Sequence, residues 1–365
     1  MVIPVFLPHA GCNEQRCTYC HQGYITDISE VDLRARIDGT LSGRSEPCEV
    51  GLFGGNIFGI EPAALERIFS FFDNYRHVIN AFRISTKPLP LHEETIAILK
   101  QNGVAIIELG MPTFNDAILA AVNRGHTTED LFYANDRLSN EGFRIALQFM
   151  VGLPGETQVD IYRTTENMIR LKPVYVRVYP LVVLRGTELY DLYKNGSFVP
   201  DNFDNILYRA IFIYLNALKA GIDVANIGLT ANKPIGAAVA GGFYHPAYGF
   251  LVQSRAFRLA IEYKIKKLSN RHKVTVIIHR NDIPLLVGYK RENLAMFASS
   301  GTTLRWEASG DVRGSFDLHN GSEKTSGTII DALHTFKKET TDISNDENSV
   351  PEPQPSLILS TTIVQ

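Results

Sequence analysis

The sequence predicts an α/β protein whose main part is a partial, TIM-like barrel of six βα units. Strand-like and helix-like runs alternate from residue 2 to residue 179, and strands separated by helices of this length pair in parallel. Apolar runs such as residues 104–107 suit strands that are buried on both faces. Glycines and polar residues follow one strand after another, as they do at the active-site rim of parallel barrels.

Each predicted element follows from hydrophobic spacing and from the residues at its ends. We expect strands at residues 2–7, 49–53, 81–85, 104–109, 144–150 and 175–179. We expect helices at residues 29–41, 61–75, 91–101 and 157–171, with helical segments between 115 and 140. Ser29 is the expected N-cap of the first helix, because a serine hydroxyl accepts a hydrogen bond from the first turn.

Three regions are expected along the chain: the barrel at residues 1–200, a C-terminal α/β extension at 201–338 and a disordered tail at 339–365. The extension contains helical patterns at 203–220 and 255–268, strand-like runs at 222–227 and 274–279, and a glycine-rich stretch at 236–249. A hairpin is predicted at 302–318 and a short helix at 328–338. The tail is polar, so it has too little apolar surface to fold.

Composition and charge exclude several classes of protein. Hydrophobic residues make up 45% of the 365 residues, which is enough for a full core. No run reaches the roughly 18 apolar residues that span a membrane, and the N-terminus lacks a signal-peptide pattern. Four cysteines are too few for a disulfide scaffold, so we expect a cytoplasmic protein. The net charge of −3 by itself favours neither nucleic acid nor membrane.

Residues with unusual chemistry lie at or just past the carboxyl ends of the predicted strands. One glycine or proline at such a position usually marks only a turn. Here they occur together with three thiols, which predicts an active site at this edge. In chain order they are the clustered cysteines, Gly54, Gly55 and Asn56, then Ser85, Thr86 and Lys87, then Glu108, then Gln148, Met150 and the turn at 152–156, and finally Arg177 and Tyr179.

Three thiols occur within nine residues, in the spacing C-x4-C-x2-C of Cys12, Cys17 and Cys20. Thiolates crowded in this way are ligands for a soft metal or an iron-sulfur cluster. A structural zinc site would take His9 or His21 as its fourth ligand. A plant-type ferredoxin cluster would instead use Cys48. In a third arrangement the three cysteines hold three irons and leave the fourth iron open to a small molecule.

This third arrangement resembles the radical S-adenosylmethionine (SAM) superfamily, whose Cys-x-aromatic-Cys form is matched by Tyr19 before Cys20. In that superfamily SAM chelates the open iron, and an electron from the 4Fe-4S cluster cleaves it to a 5'-deoxyadenosyl radical. Further motifs resemble the branch of the Elongator catalytic subunit and its shorter bacterial relatives, over about residues 2–295. They are Gly54-Gly55, Arg83-Ile-Ser-Thr86, Ile107-Glu-Leu-Gly110, Arg124-Gly-His126, Gln148-Phe-Met-Val-Gly-Leu-Pro-Gly-Glu156, Val176-Arg-Val-Tyr-Pro180 and Tyr244-His-Pro-Ala-Tyr-Gly249.

The resemblance implies a role for each matched residue. The metal ligands would be Cys12, Cys17 and Cys20. Arg177 and Tyr179 would face the chamber where the radical meets its substrate. Glycines after the second strand would let the backbone approach the amino group of SAM, polar side chains would contact its ribose or carboxylate, and a methionine with a glycine would pack on its adenine. These cofactor-binding residues would be Tyr19, Gly54, Gly55, Ser85, Lys87, Glu108, Arg124, Met150 and Gly152.

The chain departs from the family pattern in several places. Four residues separate the first two cysteines, where the superfamily usually has three. Leu89 and Pro112 stand where the branch commonly has an acid and an amide. We expect neither an acetyltransferase domain nor a basic N-terminal extension for tRNA, because no corresponding motif is found. Elongator-type chemistry on tRNA therefore does not follow from the resemblance.

The expected function is that of a cytoplasmic enzyme that binds one 4Fe-4S cluster and cleaves SAM to start a radical reaction. An external electron donor of flavodoxin or ferredoxin type would reduce the cluster. The substrate would be an RNA base or a small metabolite, and the ten basic against two acidic residues between Arg255 and Arg291 favour RNA. The rival hypothesis is a non-catalytic or electron-transfer iron-sulfur protein.

Overall fold

The structure is a computed structural model that describes residues 2–7, 11–12, 17–21, 29–229, 233–309 and 312–336. Residues up to Thr335 belong to one compact unit. A short strand, β7 (Val182–Leu184), lies outside the main sheet. The main sheet has seven parallel strands: β1 (Val2–Phe6), β2 (Cys48–Phe53), β3 (Ile79–Thr86), β4 (Val104–Gly110), β5 (Arg144–Val151), β6 (Tyr175–Pro180) and β8 (Asp223–Ile227).

The strands of this sheet lie side by side in chain order, from β1 through β6 to β8. Each strand is therefore parallel to the next, and all the carboxyl ends lie at one edge. The predicted partial barrel is confirmed, and the six predicted strands agree with the observed ones to within two residues. The strand-like run predicted at 222–227 adds a seventh strand, since β8 pairs with β6.

Helices follow the strands as the alternating pattern predicts. Ser29 caps the first helix, because its hydroxyl accepts the Asp32 N–H at 3.1 Å. The helix predicted at 61–75 ends at Ser70 and is followed by a 3₁₀ turn. The region 115–140 forms two separate helices. In chain order these helices are α1 (Glu30–Leu41), α2 (Pro62–Ser70), α3 (Glu93–Gln101), α4 (Asp116–Ala121), α5 (Thr128–Asn140), α6 (Gln158–Leu171) and α7 (Glu188–Lys194).

The two faces of the main sheet differ in polarity, as the central strand β3 shows. Its residue Phe82 is buried and packs edge-on against Phe69 and Phe72, with ring centroids 5.3 and 5.2 Å apart. Arg83 and Ser85 lie on the opposite face, because successive side chains of a strand alternate. The helix-covered face therefore forms the apolar core, and the other face can carry polar chemistry.

The C-terminal extension adds a second, mixed sheet. It contains α8 (Phe203–Lys219), α9 (Lys233–Ala238), β9 (Val239–Gly242), α10 (Tyr248–Ile265), β10 (Lys273–His279), α11 (Ile283–Val287), α12 (Glu292–Ser299), β11 (Thr303–Ser309), β12 (Ser315–His319) and β13 (Lys324–Thr328). The short helix predicted at 328–338 is a 3₁₀ helix, Ile329–Thr335. β9 pairs with β7, next to the carboxyl end of β6.

Helix α10 begins seven residues earlier than the predicted start at residue 255. The turn before it is closed by His245, whose Nδ1 accepts the Ala247 N–H at 3.0 Å. A Cβ at Gly249 would lie 2.8 Å from the carbonyl oxygen of Ile227. Only glycine fits there, so the glycine that looked like a loop residue instead allows the helix to pack against the end of β8.

The predicted hairpin at 302–318 is wrong. Both of its strands exist, but each pairs with β10: β11 in parallel and β12 antiparallel. Helices α11 and α12 carry the chain across before β11, so a parallel connection is possible. A hydrophobic pattern shows where strands occur but does not show which strand lies beside which.

The predicted domain boundary at residue 200 stays a prediction, although β8, which lies beyond it, belongs to the main sheet. The tail predicted at 339–365 lies outside the described residues. Within the described residues, no helix combines the length and apolar composition that a membrane crossing requires.

The turn after β5 is held by a buried carboxyl group. Glu156 Oε2 accepts the Gly152 N–H at 2.6 Å, and Arg209 Nη1 of α8 lies 3.3 Å from the same oxygen. Glu156 is 8% exposed. Burial raises its pKa to about 7, although Gly152 and Arg209 oppose the shift. The folded protein therefore holds a proton on this group that the unfolded chain releases near its ordinary pKa.

We expect Glu156→Gln to remove a pH-dependent part of the stability. Because the folded-state pKa is raised, the protonated group favours the folded state at low pH. That advantage is lost as the pH rises from about 4.5 to about 7, by on the order of 3 kcal/mol. The free energy of unfolding, measured in urea at pH 5 and pH 7.5, should fall more for the wild type than for Glu156→Gln. The exposed Glu166→Gln on α6 serves as the control and should follow the wild type; parallel pH curves for all three proteins would contradict the prediction.

Candidate functional site

The predicted site residues gather at the carboxyl edge of the main sheet. Gly54 and Gly55 directly follow β2 and have φ angles of 102° and 73°, which glycine adopts without strain. Ser85 ends β3 with Thr86, and Lys87 follows. Glu108, Met150, Arg177 and Tyr179 lie in β4, β5 and β6, and Gly152 comes just after β5. The sheet thus places at one edge residues that are far apart in the sequence, since Gly54 and Tyr179 are separated by 125 positions.

The segment that carries the three cysteines follows β1 at the same edge, and its described residues, 11–12 and 17–21, are called the cysteine loop. Cys17 is buried, Cys12 and Cys20 are half-buried, and none of them forms a disulfide. Two backbone hydrogen bonds fix Thr18, the residue after Cys17: its N–H donates to Val122 O at 3.1 Å, and its carbonyl oxygen accepts the Leu189 N–H at 2.9 Å. The backbone next to Cys17 is therefore anchored to neighbouring segments.

Two cations face the thiols, the half-buried Arg124 and the buried Lys87. Arg124 Nη1 lies 3.4 Å from Cys17 Sγ, and its Nη2 donates to the carbonyl oxygen of Gly110. Lys87 is 8% exposed. Burial by itself raises the pKa of Cys17, but the charges of Arg124 and Lys87 outweigh it and leave that pKa below its ordinary value. Burial and the other thiols raise the pKa of Cys20 to about 12.

Gly110 has to be a glycine for this arrangement. A Cβ on Gly110 would lie 2.3 Å from Arg124 Nη2, so any larger residue would displace the guanidinium from the end of β4. The motif that contains Gly110 was visible in the sequence. Its physical reason, the close approach of Arg124, becomes visible only in the structure.

Asn56 was noted at the rim, but the sequence suggested no role for it. It is 5% exposed, and its Oδ1 accepts from Thr86 Oγ1 at 2.7 Å and from the Lys87 N–H at 3.2 Å. Its Nδ2 donates to Leu89 O at 3.1 Å. Asn56 therefore connects the segment after β2 to the segment after β3 and positions Lys87. A polar residue directly after two glycines is the signal that could have revealed this function.

Glu108 is fully buried inside the half-barrel and is surrounded by donors. The Tyr175 hydroxyl donates to it at 2.6 Å and Gln148 Nε2 at 2.7 Å, while Arg177 Nε lies 2.9 Å from Oε2. Burial alone lowers the pKa of Arg177, and Glu108 more than offsets it and raises that pKa. Glu108 and Arg177 thus form a buried ion pair with compensating charges. Tyr175 was not among the predicted site residues, because an aromatic residue early in a strand looks like core.

Tyr179 lies one step nearer the carboxyl edge than Arg177, on the same face. Arg177 and Asn226 of β8 lie beside its hydroxyl and favour its ionised form. Burial raises its pKa, so the phenol remains protonated at neutral pH and can donate. Asn226 is a second residue that sequence reasoning missed, because β8 was assigned to the extension rather than to the main sheet.

Tyr19 and Met150 line the side of the site near α4 and α7. Both pack against an apolar cluster that includes Ile118, Leu153 and Leu189. Burial raises the pKa of the Tyr19 phenol, and Arg124 opposes the shift. The structure therefore brings Tyr19, Met150 and the turn after β5 together on one side of the site, and their role as cofactor-binding residues stays a prediction.

The structure bears on the two alternative metal sites, the ferredoxin-type cluster with Cys48 and the zinc site with His9 or His21. Cys48 is 2% exposed and begins β2, so it lies at the opposite edge of the sheet, roughly 17–20 Å away for a strand of this length. It cannot complete a ferredoxin-type site. Of the two zinc-ligand candidates, His9 lies outside the described residues, and the ring of His21 packs 3.0 Å from where a Cβ of Gly186 would be. Among described residues, no three His, Cys, Asp or Glu side chains converge on one metal position.

Two protein-family models match consecutive parts of the chain. The radical SAM superfamily model matches residues 6–168, and the radical SAM C-terminal domain model matches residues 173–258. The chain is 31% identical over 145 residues to a tRNA uridine(34) acetyltransferase of Methanocaldococcus jannaschii. That match covers 39% of this chain and 27% of the acetyltransferase. It is 28% identical over 203 residues to the heme chaperone HemW of Bacillus subtilis, over 52% of this chain and 53% of that protein.

Among solved structures, the archaeal Elp3 of Methanocaldococcus infernus, lacking residues 1–46, superposes with a TM-score of 0.53 at 22% identity. The match covers 73% of this chain and 63% of that one, and at this identity it supports the fold alone. The chain thus spans about a quarter to a half of the length of these curated relatives. The two family models, however, together match more than half of the chain. With three cysteines at the carboxyl edge of a parallel half-barrel, the chain belongs to the radical SAM superfamily.

Proposed function

We propose that this protein is a radical SAM enzyme that binds a 4Fe-4S cluster through Cys12, Cys17 and Cys20. The observation that carries the proposal is the set of three thiols outside any disulfide after β1, with Arg124 3.4 Å from Cys17. Each thiolate of such a cluster binds a different iron, so the thiols need not converge on one point. Three thiolates leave one iron open, as a catalytic site requires.

The residues around the thiols fit such a group. A cluster with three thiolate ligands is anionic, and the half-buried Arg124 with the buried Lys87 supplies compensating positive charge. When bound, the cluster supplies the electron that cleaves SAM to methionine and a 5'-deoxyadenosyl radical. We propose a flavodoxin or ferredoxin as the external donor of that electron.

The cofactor-binding proposal assigns SAM to the carboxyl edge beside the thiols. Gly54 and Gly55 leave their backbone open to its amino group, and Met150 with Gly152 offers an apolar surface for its adenine. Ser85, Lys87, Glu108 and Arg124 would hold its ribose and carboxylate. Glu108 is already neutralised by Arg177, so it would bind hydroxyl groups as an acceptor without adding net charge.

Arg177 and Tyr179 are proposed as the residues that face the substrate. Burial raises the pKa of the Tyr179 phenol and Arg177 lies beside it, so the phenol stays protonated and gives the chamber a hydrogen-bond donor. Because Glu108 holds the Arg177 side chain in place, the two residues orient a substrate and exclude water from the site. Neither group needs to change its protonation state for this role.

Reductive cleavage of SAM tests the proposed function. After anaerobic reconstitution with iron and sulfide, the wild type reduced with dithionite should form 5'-deoxyadenosine from SAM. Cys17→Ala should form none, because one iron loses its ligand. Cys48→Ala is the matched control and should keep both the cluster and the activity, since Cys48 lies at the far edge of the sheet.

Two outcomes would contradict the proposal. A wild type that binds about four irons but forms no deoxyadenosine would favour a non-catalytic or electron-transfer role. Loss of the cluster in Cys48→Ala would contradict the assignment of the three ligands.

We propose RNA as the substrate class, supported by the similarity to a tRNA uridine(34) acetyltransferase. The basic region 255–291 does not form one patch. Three of its cations are engaged in ion pairs within the chain: Arg255 with Asp204, Arg258 with Glu262, and Lys264 with Asp331. The exposed cations form two groups, one at residues 266–273 and one at residues 280–291. Strand β10 separates the two groups by about 20 Å.

The group that follows β10 lies beside aromatic side chains at the mouth of the half-barrel. Tyr289, Lys290 and Arg291 are exposed, and Lys290 Nζ lies 5.5 Å from the centroid of the Tyr289 ring. The Tyr289 ring meets His245 at 5.0 Å, and His245 lies parallel to Phe243 at 6.2 Å. Phe243 follows Gly242, which pairs with Val182 next to the end of β6. Exposed aromatic rings and cations together suit unpaired nucleotides.

We expect this surface to contribute phosphate contacts. Lys290→Asn with Arg291→Asn should weaken binding of a labelled tRNA transcript and reduce the slope of log affinity against log salt by about one to two. Asparagine is chosen because both residues have positive φ, 48° and 65°, which asparagine tolerates. The control, Lys266→Asn with Lys267→Asn, lies in the other basic group. A salt-independent affinity, or an equal loss in both variants, would contradict RNA binding at this surface and favour a small metabolite.

A further inference from the structure

The loop between α4 and α5, residues 122–127, is built to reach the cysteine loop. Val122 O accepts the Thr18 N–H at 3.1 Å, and Arg124 extends to Cys17. Asn123 and Gly125, on either side of Arg124, have positive φ angles of 52° and 75°. The left-handed Asn123 ends α4, with the Asn123 N–H donating to Ala120 O at 3.0 Å and the Arg124 N–H donating to Leu119 O at 2.9 Å. The end of the helix and the contacts of Val122 and Arg124 together hold this loop against the segment of Cys17 and Thr18.

The same loop carries His126, which the proposed function does not use. Thr127, the next residue, caps α5 with a complete capping box, so the position of His126 is fixed from both sides. His126 is 7% exposed. Neither of its ring nitrogens has a hydrogen-bond partner among the described residues. Buried polar groups are nearly always hydrogen-bonded, because leaving one without a partner costs its full desolvation energy. A buried imidazole with no partner for either nitrogen among the described residues thus indicates a partner from outside that part of the chain.

The charges around His126 indicate what kind of partner this is. Burial and the neighbouring cations Arg124 and Lys87 lower its pKa to about 2, so the ring is neutral and has one N–H to donate. The same two cations face the thiol of Cys17. A group that accepts a hydrogen bond from His126 and is attracted by both cations has to be anionic. Sulfur atoms of a thiolate-bound iron-sulfur cluster meet that description, and the loop already contacts a cluster ligand through Arg124.

We propose that His126 donates a hydrogen bond to a sulfur of the cluster bound by Cys12, Cys17 and Cys20, and that it thereby raises the reduction potential of that cluster. The proposal rests on the proposed function, since it needs the cluster to be present. Reduction adds one negative charge to the cluster, and a donor to its sulfurs stabilises the reduced form more than the oxidised form. His126 is thus a residue that tunes the cluster and does not itself react.

The test is a redox titration of the reconstituted protein without SAM, followed by electron paramagnetic resonance. His126→Phe keeps a ring of similar shape but has no N–H, and its midpoint potential should be more negative than that of the wild type. His126→Gln keeps an N–H donor and should recover part or all of the shift. His92→Gln is the control. It changes an exposed histidine on the protein surface and should leave the midpoint potential unchanged. The titration follows the loaded clusters alone, so reduced iron uptake would not obscure the result.

Each result decides the proposal. Equal potentials in the wild type and His126→Phe would overturn it. If SAM then bound more weakly to His126→Phe in a separate binding titration, the N–H would belong to the SAM carboxylate instead. If His126→Phe held no iron, rescue of iron binding by Gln would support a hydrogen bond to the cluster, and loss in both variants would overturn it. A wild type that takes up no cluster would overturn the proposed function itself, which is a different result from an unchanged potential.

Discussion

Parallel pairing of the strands is the constraint on which the rest of the structure depends. Because β1 to β6 and β8 run in the same direction, every segment that leaves a carboxyl end arrives at the same edge. The cysteine loop, the Gly54-Gly55 turn, Lys87 and the turn at Gly152 are all such segments. The half-barrel also gives each strand one face under helices and one face inside, which separates the apolar core from the polar interior.

Charge is arranged differently at the two levels of this interior. Deep inside, Glu108 and Arg177 neutralise each other and are fixed by Tyr175 and Gln148. Nearer the edge, the half-buried Arg124 and the buried Lys87 lie beside thiols, and their positive charge is what lowers the pKa of Cys17. A neutral layer under a cationic rim favours an anionic ligand at the rim. Burial, together with these two cations, also keeps His126 neutral.

The C-terminal extension is where prediction from the sequence was weakest. Gly249 looked like part of a loop because glycine breaks isolated helices, but here the helix α10 needs it to approach β8. The strands at 303–309 and 315–319 were found, yet their pairing with β10 was not. The basic region also separated into paired and exposed cations, because its partners Asp204 and Asp331 lie outside it in the sequence.

The sequence by itself determined the strands, most helices, the parallel half-barrel and the three cysteines with their superfamily, because these depend on hydrophobic periodicity, turn residues and short motifs that are local in the chain. Only the tertiary structure decided the long-range pairs. It placed Arg124 against Cys17 across 107 residues and Asn226 beside Tyr179. It also left His126 buried without a partner among the described residues. Such contacts depend on how distant segments pack together, and no local pattern encodes which buried polar group meets which partner.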